Sequence, residues 1–363
     1  MEPLNLSEFE TLARERLPQM VYDYYAGGAE DEVTLRDNPR AWERLRLRPR
    51  MLAGVGARDL KTTLLGDPIA FPILAAPCAF NAMAHPDGEL AVARATAALG
   101  TIQILSTVSN YSIEQVAAAS QGLRWFQLYV FKDRSVTRML VERAERAGYR
   151  ALCLTVDMPV LGRRERDMRN GFALPEGLML KNLEQAALEK MDTIGAGSAL
   201  GKYFAENIDP SLTWDDVDWL ASVTKLPIAI KGILTADDAR IALEHGVRAI
   251  IVSNHGGRQL DGARTGCDAL PEVVEAVGNR AEILVDGGIR RGTDVLKALA
   301  LGARAVLVGR PYLWGLAVNG EAGVRQIFQM LRDEFDAAMG LTGCAKISDI
   351  NRRLIALNEK EKS

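Results

Sequence analysis

Along the chain, short apolar runs alternate with longer amphipathic stretches. Eight runs, at 69–75, 101–105, 124–130, 151–156, 227–230, 249–252, 282–285 and 304–308, are nearly continuous in apolar residues and end in polar residues or glycine. Continuous rather than alternating apolarity predicts parallel strands buried on both faces. Between them lie stretches of helical periodicity, such as 89–99, 136–147, 236–244 and 293–301. These close on Gly100, Gly148, Gly246 and Gly302, residues suited to a left-handed helix cap. Eight strand–helix units spaced by about 22–33 residues match a (β/α)8 TIM barrel, an α/β fold, better than an open doubly wound sheet.

Two regions break the repeat. The fourth and fifth runs begin 76 residues apart, so the connection carries an insertion, roughly 159–210, expected to act as a lid over the barrel mouth. Ahead of the first run, 7–25 reads as a helical lead-in interrupted by Pro18. Arg44, Arg46, Arg48 and Arg50 then alternate with Leu45, Leu47 and Pro49, the pattern of an extended, solvated edge. A closing helix is expected over 321–339. Residues 1–363 are thus read as a single domain with a lid.

Composition narrows the chemistry. With 44 basic and 47 acidic residues the net charge is −3, so no global field draws the molecule to nucleic acid or an anionic membrane. Cys78, Cys153, Cys267 and Cys344 are scattered, with no C-x-x-C pair, which disfavours a disulfide scaffold or thiolate cluster and suits a reducing compartment. No signal-peptide core, membrane-length apolar stretch or Ser-Lys-Leu tail is present, so a cytoplasmic location is expected. Histidine is scarce. His85, His245 and His255 are the whole supply, which disfavours a histidine-built zinc site and leaves few bases that titrate near neutrality.

Active sites of such barrels lie at the C-terminal ends of the strands. There the sequence places Pro77-Cys78-Ala79, Ser106, Gln127, Tyr129, Thr155, Asp157, Lys231, Ser253-Asn254-His255, Asp286-Gly287-Gly288 and Gly309-Arg310. Asp286-Gly287-Gly288-Ile289-Arg290 and Gly309-Arg310 follow the last two strands, the usual phosphate corner. Glycine lets backbone N–H groups approach an anion and arginine adds forked donors, so a phosphorylated ligand is expected. There is no Walker motif or strand-linked G-x-G-x-x-G, and Gly195-Ala196-Gly197 sits in the insertion with no strand before it. A mononucleotide therefore fits better than NAD. Lys231 would project over the mouth, either as a Schiff-base amine or as a fixed cation beside an electron-accepting ring; periodicity does not choose. His245, before Gly246 at a helix end, and His85, before Pro86-Asp87-Gly88-Glu89, read as structural. His255, three residues before Arg258, reads as a base beside a carboxylate-binding arginine, with Asp157 placed to hold its imidazole.

The segment Ser253-Asn254-His255-Gly256-Gly257-Arg258-Gln259-Leu260-Asp261 resembles the signature of the FMN-dependent L-2-hydroxy acid oxidases and dehydrogenases. Further matches occur in order at Tyr22-Asp23-Tyr24-Tyr25-Ala26-Gly27-Gly28-Ala29, Ala84-His85-Pro86, Trp125-Phe126-Gln127-Leu128-Tyr129, Leu154-Thr155-Val156-Asp157, Leu161-Gly162-Arg163-Arg164 and the stretch from Asp286 to Asp294. The resemblance implies FMN in the barrel mouth. Its ring and ribityl chain would be held by Pro77, Cys78, Ala79, Ser106, Gln127, Thr155, Lys231 and Ser253, with Lys231 as the cation beside the reduced ring. The ribityl and phosphate would be held by Asp286, Gly288, Arg290, Gly309 and Arg310. Tyr24, Tyr129, Arg164 and Arg258 would orient a 2-hydroxy acid. His255 would take either its hydroxyl proton or its Cα proton, while Asp157 stabilises the imidazolium. O2 would be the final acceptor, giving hydrogen peroxide, and the assembly would be a homotetramer or homo-octamer.

One departure bears on substrate. Val108 stands where glycolate oxidases of the family tend to have tryptophan, so lactate or another aliphatic 2-hydroxy acid is expected over glycolate. The run 166–175 is similar to hydroxymandelate oxidases, which keeps an arylic substrate open. The rival readings are a dehydrogenase of the same family that uses a quinone or another acceptor, and a non-redox barrel that binds a phosphorylated ligand. The mixed charges of 181–209 argue against a membrane-docked dehydrogenase.

Overall fold

Eight parallel strands, Ile73–Ala75, Gln103–Leu105, Arg124–Leu128, Ala151–Thr155, Ile228–Ile233, Ala249–Val252, Glu282–Val285 and Ala305–Val308, pair in ring order. The last pairs with the first (Leu74 opposite Leu307), so the sheet closes into the expected (β/α)8 barrel. The computed structural model describes residues 3–183 and 206–356. Along each strand one residue in two points inward. Leu74, Ile104, Trp125, Cys153, Ala229, Ile251, Leu284 and Leu307 fill the lumen in a separate apolar cluster, while their strand neighbours pack beneath the helices. The lumen is a packed core rather than a pore.

Several expectations need correction. The run 69–75 contains two elements, because barrel pairing begins only at Ile73. Asp67–Ile69 instead forms an antiparallel hairpin with Thr62–Leu64. Its Leu64 and Ile69 enter the lumen cluster, and Asp67 pairs with Arg150 at 2.9 Å, so the hairpin plugs the lower end of the barrel. The closing helix is longer than 321–339. It runs Arg310–Thr342 and breaks at Asn319 and Gly320, whose backbone is not helical. The lead-in is, as the break at Pro18 predicts, two helices, Leu6–Arg16 and Gln19–Ala26. The arginine-rich edge contributes Arg46–Leu47, which pairs with Ile355–Ala356.

The helix Val33–Arg44 has no counterpart in the sequence reading. Its signals are weak: Pro39 lies inside it, and Glu32 precedes it in a left-handed conformation without a capping side chain. The cap comes from far along the chain, where both Asp261 carboxylate oxygens accept the N–H groups of Val33 (3.1 Å) and Thr34 (2.8 Å). His245 and His85 keep structural positions. His245 sits at the end of Ala236–Glu244 with Nδ1 2.9 Å from Asp218 and its ring stacked on Trp214. His85 accepts the Asp87 N–H. Gly195–Gly197 and much of the insertion lie outside the described residues. No helix among the described residues is long and apolar enough to cross a membrane.

Candidate active site

The two-residue period that fills the lumen also sets the floor of the mouth. One step beyond the inward-facing apolar layer come Ala76, Ser106, Gln127, Thr155, Lys231, Ser253, Asp286 and Gly309. A second step gives Cys78, Val108, Tyr129, Asp157, His255 and Gly288. All of these but Ser253 and Asp157 line a cavity of about 1090 Å³, its solvent-open part included. Tyr24, Arg258, Arg290, Arg310, Pro77, Ala79 and Arg164 complete the predicted set on its wall.

Two predicted residues stand behind that wall. Asp157 lies behind His255, and Ser253 lies under Lys231 and His255, where its hydroxyl accepts from Lys231 Nζ and from the His255 N–H, each at 3.0 Å. Ser253 thus props two neighbours, a different position from the cofactor contact expected of it. The wall also includes Tyr25, Met158, Leu161, Gly256 and Leu313, absent from the predicted set. Met158 and Leu161 belong to the root of the insertion, where no strand period indicates orientation.

Neighbouring strands are tied across the floor. Gln127 accepts the Thr107 N–H (3.0 Å) through Oε1 and donates from Nε2 to Thr155 Oγ1 (3.1 Å). Lys231 lies inside its strand rather than at its end, and pairing shifts between Lys231 and Ile233. The bulge is centred on Gly232 (φ +115), where an added Cβ would lie 2.7 Å from Asp157 Cβ. Only glycine lets the fourth-strand loop seat Asp157 there.

His255 is held by backbone and by charge. It adopts a left-handed conformation (φ +57), followed by Gly256 (+65) and Gly257 (+74), which turns its ring into the mouth. For a residue with a Cβ this costs about 1–2 kcal/mol. Its Nδ1 lies 2.7 Å from Asp157 Oδ1. An ionised Asp157 accepts Nδ1–H and leaves Nε2 with the lone pair. Burial, aided by the charges of Lys231 and Arg164, holds the imidazole below its ordinary pKa although Asp157 opposes this. Burial works against the charge on Asp157, but His255 and Lys231 outweigh it and keep the carboxyl below its ordinary range. A neutral imidazole backed by a carboxylate is a base ready at neutral pH.

Lys231 is pulled the other way. Burial disfavours its charge, yet Asp286 at 3.6 Å and Asp157 at 4.0 Å raise its pKa above normal. An ammonium so held is a poor Schiff-base nucleophile, which favours the fixed-cation reading. Burial raises the Tyr24 and Tyr129 phenols, which therefore stay protonated as donors.

Four arginines have no carboxylate partner among the described residues. Arg310 donates to the carbonyls of Tyr25, Gly256 and Gly27, and Arg290 to that of Ile289. Arg258 donates to Tyr24 and Gly27, and Arg164 leans on the Arg258 carbonyl and Gln259. Burial together with Arg258 and Arg290 pushes Arg310 down to about 9; burial together with Arg258 pushes Arg164 down to about 10. Cations left uncompensated in a cavity are the mark of an anion site. Arg290 follows the positive-φ glycines Gly287 and Gly288 and Arg310 opens the helix Arg310–Thr342, while Arg164 and Arg258 lie on the His255 side of the cavity. Asp286 Oδ1 is buried without a protein hydrogen-bond partner, an acceptor that suits a polyhydroxyl chain. The residues thus fit FMN: acceptor, cation, glycine turns and unpaired arginines in sequence across one mouth.

Residues 13–357 match the model of the FMN-dependent dehydrogenase family. The chain belongs to that family. It is 55% identical over 359 residues to an L-lactate oxidase of Nostoc sp., covering 98% of each chain. It is 53% identical over 356 residues to a glycolate oxidase of Spinacia oleracea, covering 98% of this chain and 96% of that one. A solved mandelate oxidase structure with (S)-4-hydroxymandelic acid superposes with a TM-score of 0.92 at 45% identity, covering 98% of each chain. Gln259, to which the sequence assigns no role, braces the site from outside the cavity wall. Its Nε2 donates to the carbonyls of Asp157 and Val160, both at 2.9 Å, and its Oε1 accepts the Gly162 N–H at 3.1 Å. One amide therefore fastens the root of the insertion to the loop carrying His255. Its place in the motif was visible, but not its partners about 100 residues upstream.

Proposed function

We propose that the protein is an FMN-dependent (S)-2-hydroxy-acid oxidase, a single domain over 1–363 acting on a lactate-like aliphatic acid with O2 as acceptor. The observation that carries this reading is the His255–Asp157 pair at 2.7 Å beside Arg164 and Arg258, with the anion corner across the same cavity. Pro77, Cys78, Ala79, Ser106, Gln127, Thr155 and Lys231 would hold the ring and upper chain of FMN. Asp286, Gly288, Arg290, Gly309 and Arg310 would hold its ribityl and phosphate. FMN, when bound, would supply the two-electron acceptor, with O2 as the final oxidant and hydrogen peroxide as its product.

The chain's own groups do the rest. Arg164 and Arg258 bind the substrate carboxylate, each as a forked donor. Tyr24 and Tyr129, kept protonated, donate to the substrate oxygens. His255 Nε2 takes the hydroxyl proton as the Cα–H bond breaks, and Asp157 balances the imidazolium. Lys231 keeps a fixed positive charge under the reacting centre. The four free cysteines suit a reducing, cytoplasmic setting, and the family resemblance supports a homotetramer or homo-octamer.

Val108, 4% exposed on the cavity wall with Met158 and Leu161 nearby, supports the substrate class. A small apolar wall accepts an alkyl group on Cα more readily than it rewards a bare CH2. Purified protein should be yellow, and L-lactate should bleach it anaerobically faster than glycolate, 2-hydroxyoctanoate or L-mandelate. Preference for glycolate would overturn the Val108 argument, and fastest bleaching by L-mandelate would move the assignment to an arylic substrate. Colourless protein without flavin would leave the non-redox barrel standing. Faster reoxidation by a quinone than by O2 would make the protein a dehydrogenase.

The Gly232 bulge gives a further test. Gly232→Ala should push Asp157 from behind His255 and cut kcat by on the order of 10²-fold, with FMN still bound. Normal turnover would show that the carboxylate's placement is not needed.

A further inference from the structure

The helix Val33–Arg44 contributes no side chain to the cavity wall, yet it touches both halves of the site. Asn38, 2% exposed, forms a reciprocal amide pair with Asn254, the residue before His255. Asn38 Nδ2 donates to Asn254 Oδ1 at 3.1 Å, and Asn254 Nδ2 donates to Asn38 Oδ1 at 2.8 Å. Asn254 then uses its remaining capacity on the turn itself. Its Oδ1 accepts the Gly257 N–H (3.1 Å) and its Nδ2 donates to the Arg264 carbonyl (3.1 Å). The amide orientations are mutually consistent, since every donor meets an acceptor.

The same residue abuts the phosphate corner. A Cβ added at Gly288 would lie 2.2 Å from the Asn38 carbonyl oxygen, and one at Gly287 would lie 3.3 Å from Asn38 Oδ1. One turn further on, Trp42 Nε1 donates to the Gly287 carbonyl (2.8 Å), and the Trp42 carbonyl accepts from Lys297 Nζ (2.7 Å). The helix is pinned at its start by Asp261 and Thr34, whose Oγ1 accepts the Gly262 N–H at 2.8 Å. It is therefore a strut packed against both glycine turns, hydrogen-bonded to the one and in close contact with the other.

We propose that Asn38 is a positioning residue that couples the cofactor's phosphate loop, Gly287-Gly288, to the left-handed turn carrying His255. The inference rests on the placement of FMN given above. Through Asn254, Asn38 holds the turn in the left-handed conformation that points His255 into the mouth. Through its backbone and amide, it fixes the glycines that would face the phosphate. A loop held by one strut is correct at both ends or at neither, so FMN loading and base placement should fail together.

The test compares Asn38→Ala with Asn38→Asp, which keeps the volume but replaces the donor with a second oxygen facing Asn254 Oδ1. Apoprotein is titrated with FMN by flavin fluorescence. Flavin reduction by L-lactate is then followed anaerobically at saturating FMN across pH. Both variants should bind FMN at least ten-fold more weakly. Once loaded, they should also reduce it at least ten-fold more slowly, with a displaced acid limb. If Asn38→Ala fails to fold, the isosteric Asn38→Asp carries the measurement alone. FMN affinity lost without a change in reduction, or the reverse, overturns the coupling, as does the absence of both effects. Unaltered apoprotein that fails to take up FMN would instead overturn the placement of the cofactor, a distinguishable failure.

Discussion

His255→Ala is expected to stay yellow and lose anaerobic bleaching by L-lactate by on the order of 10²–10⁴-fold or more, the range a positioned general base contributes. The retention of FMN follows from geometry. On the proposed placement the phosphate side of FMN would be held by Asp286, Gly288, Arg290, Gly309 and Arg310, which follow strands other than the one preceding His255. The loss follows from uniqueness, because His85 and His245 are engaged with Asp87 and Asp218 away from the cavity. No nearby group replaces the base: Lys231 is held as ammonium, and the Tyr24 and Tyr129 phenols are held protonated. Stopped-flow absorbance after mixing with substrate measures it directly. Bleaching at a near-normal rate would remove His255 from the mechanism.

Asp157→Asn is expected to be nearly as damaging, about 10²–10⁴-fold in the reduction rate, with a signature in pH that His255→Ala lacks. A base works only when unprotonated, so activity falls as pH drops through the folded-state pKa of His255. That pKa lies below the ordinary histidine value, since burial and Lys231 outweigh Asp157. The acid limb of kcat/KM should therefore lie below about 6.5, with full activity retained at neutrality. Asp157 is the main influence raising the imidazole pKa, so its neutralisation moves the limb to lower pH still. The substituted enzyme would hold its base free over a wider range yet use it poorly, because the imidazolium is no longer balanced and Asn can favour the wrong tautomer. A limb that moves to higher pH would contradict this electrostatic account.

Much of the architecture was legible because one physical rule, burial on both faces of parallel strands, writes itself as continuous apolar runs. The site was legible for a related reason. Continuing the inward phase by two residues from Trp125, Cys153, Ala229, Ile251 and Leu284 lands on Gln127, Thr155, Lys231, Ser253 and Asp286. What escaped depended on partners remote in sequence. The helix Val33–Arg44 takes its cap from Asp261, Asn38 finds Asn254 across 216 positions, and Gln259 reaches Asp157 and Val160 across about 100. No local pattern encodes such pairings. The first strand was placed too early because Ile69 and Ile73 are equally apolar, and only tertiary pairing separates the hairpin from the barrel.

The hairpin Thr62–Leu64 with Asp67–Ile69 bears on access to the site. With the lower end stoppered by Leu64 and Ile69 and the lumen filled by side chains, the cavity opens at the strand ends rather than along the barrel axis. On the proposed reading, hydroxy acid, keto acid, oxygen and the proton taken up by His255 would all be exchanged at those strand ends. Arrival and departure would then share one face of the barrel, the hairpin closing the other to traffic.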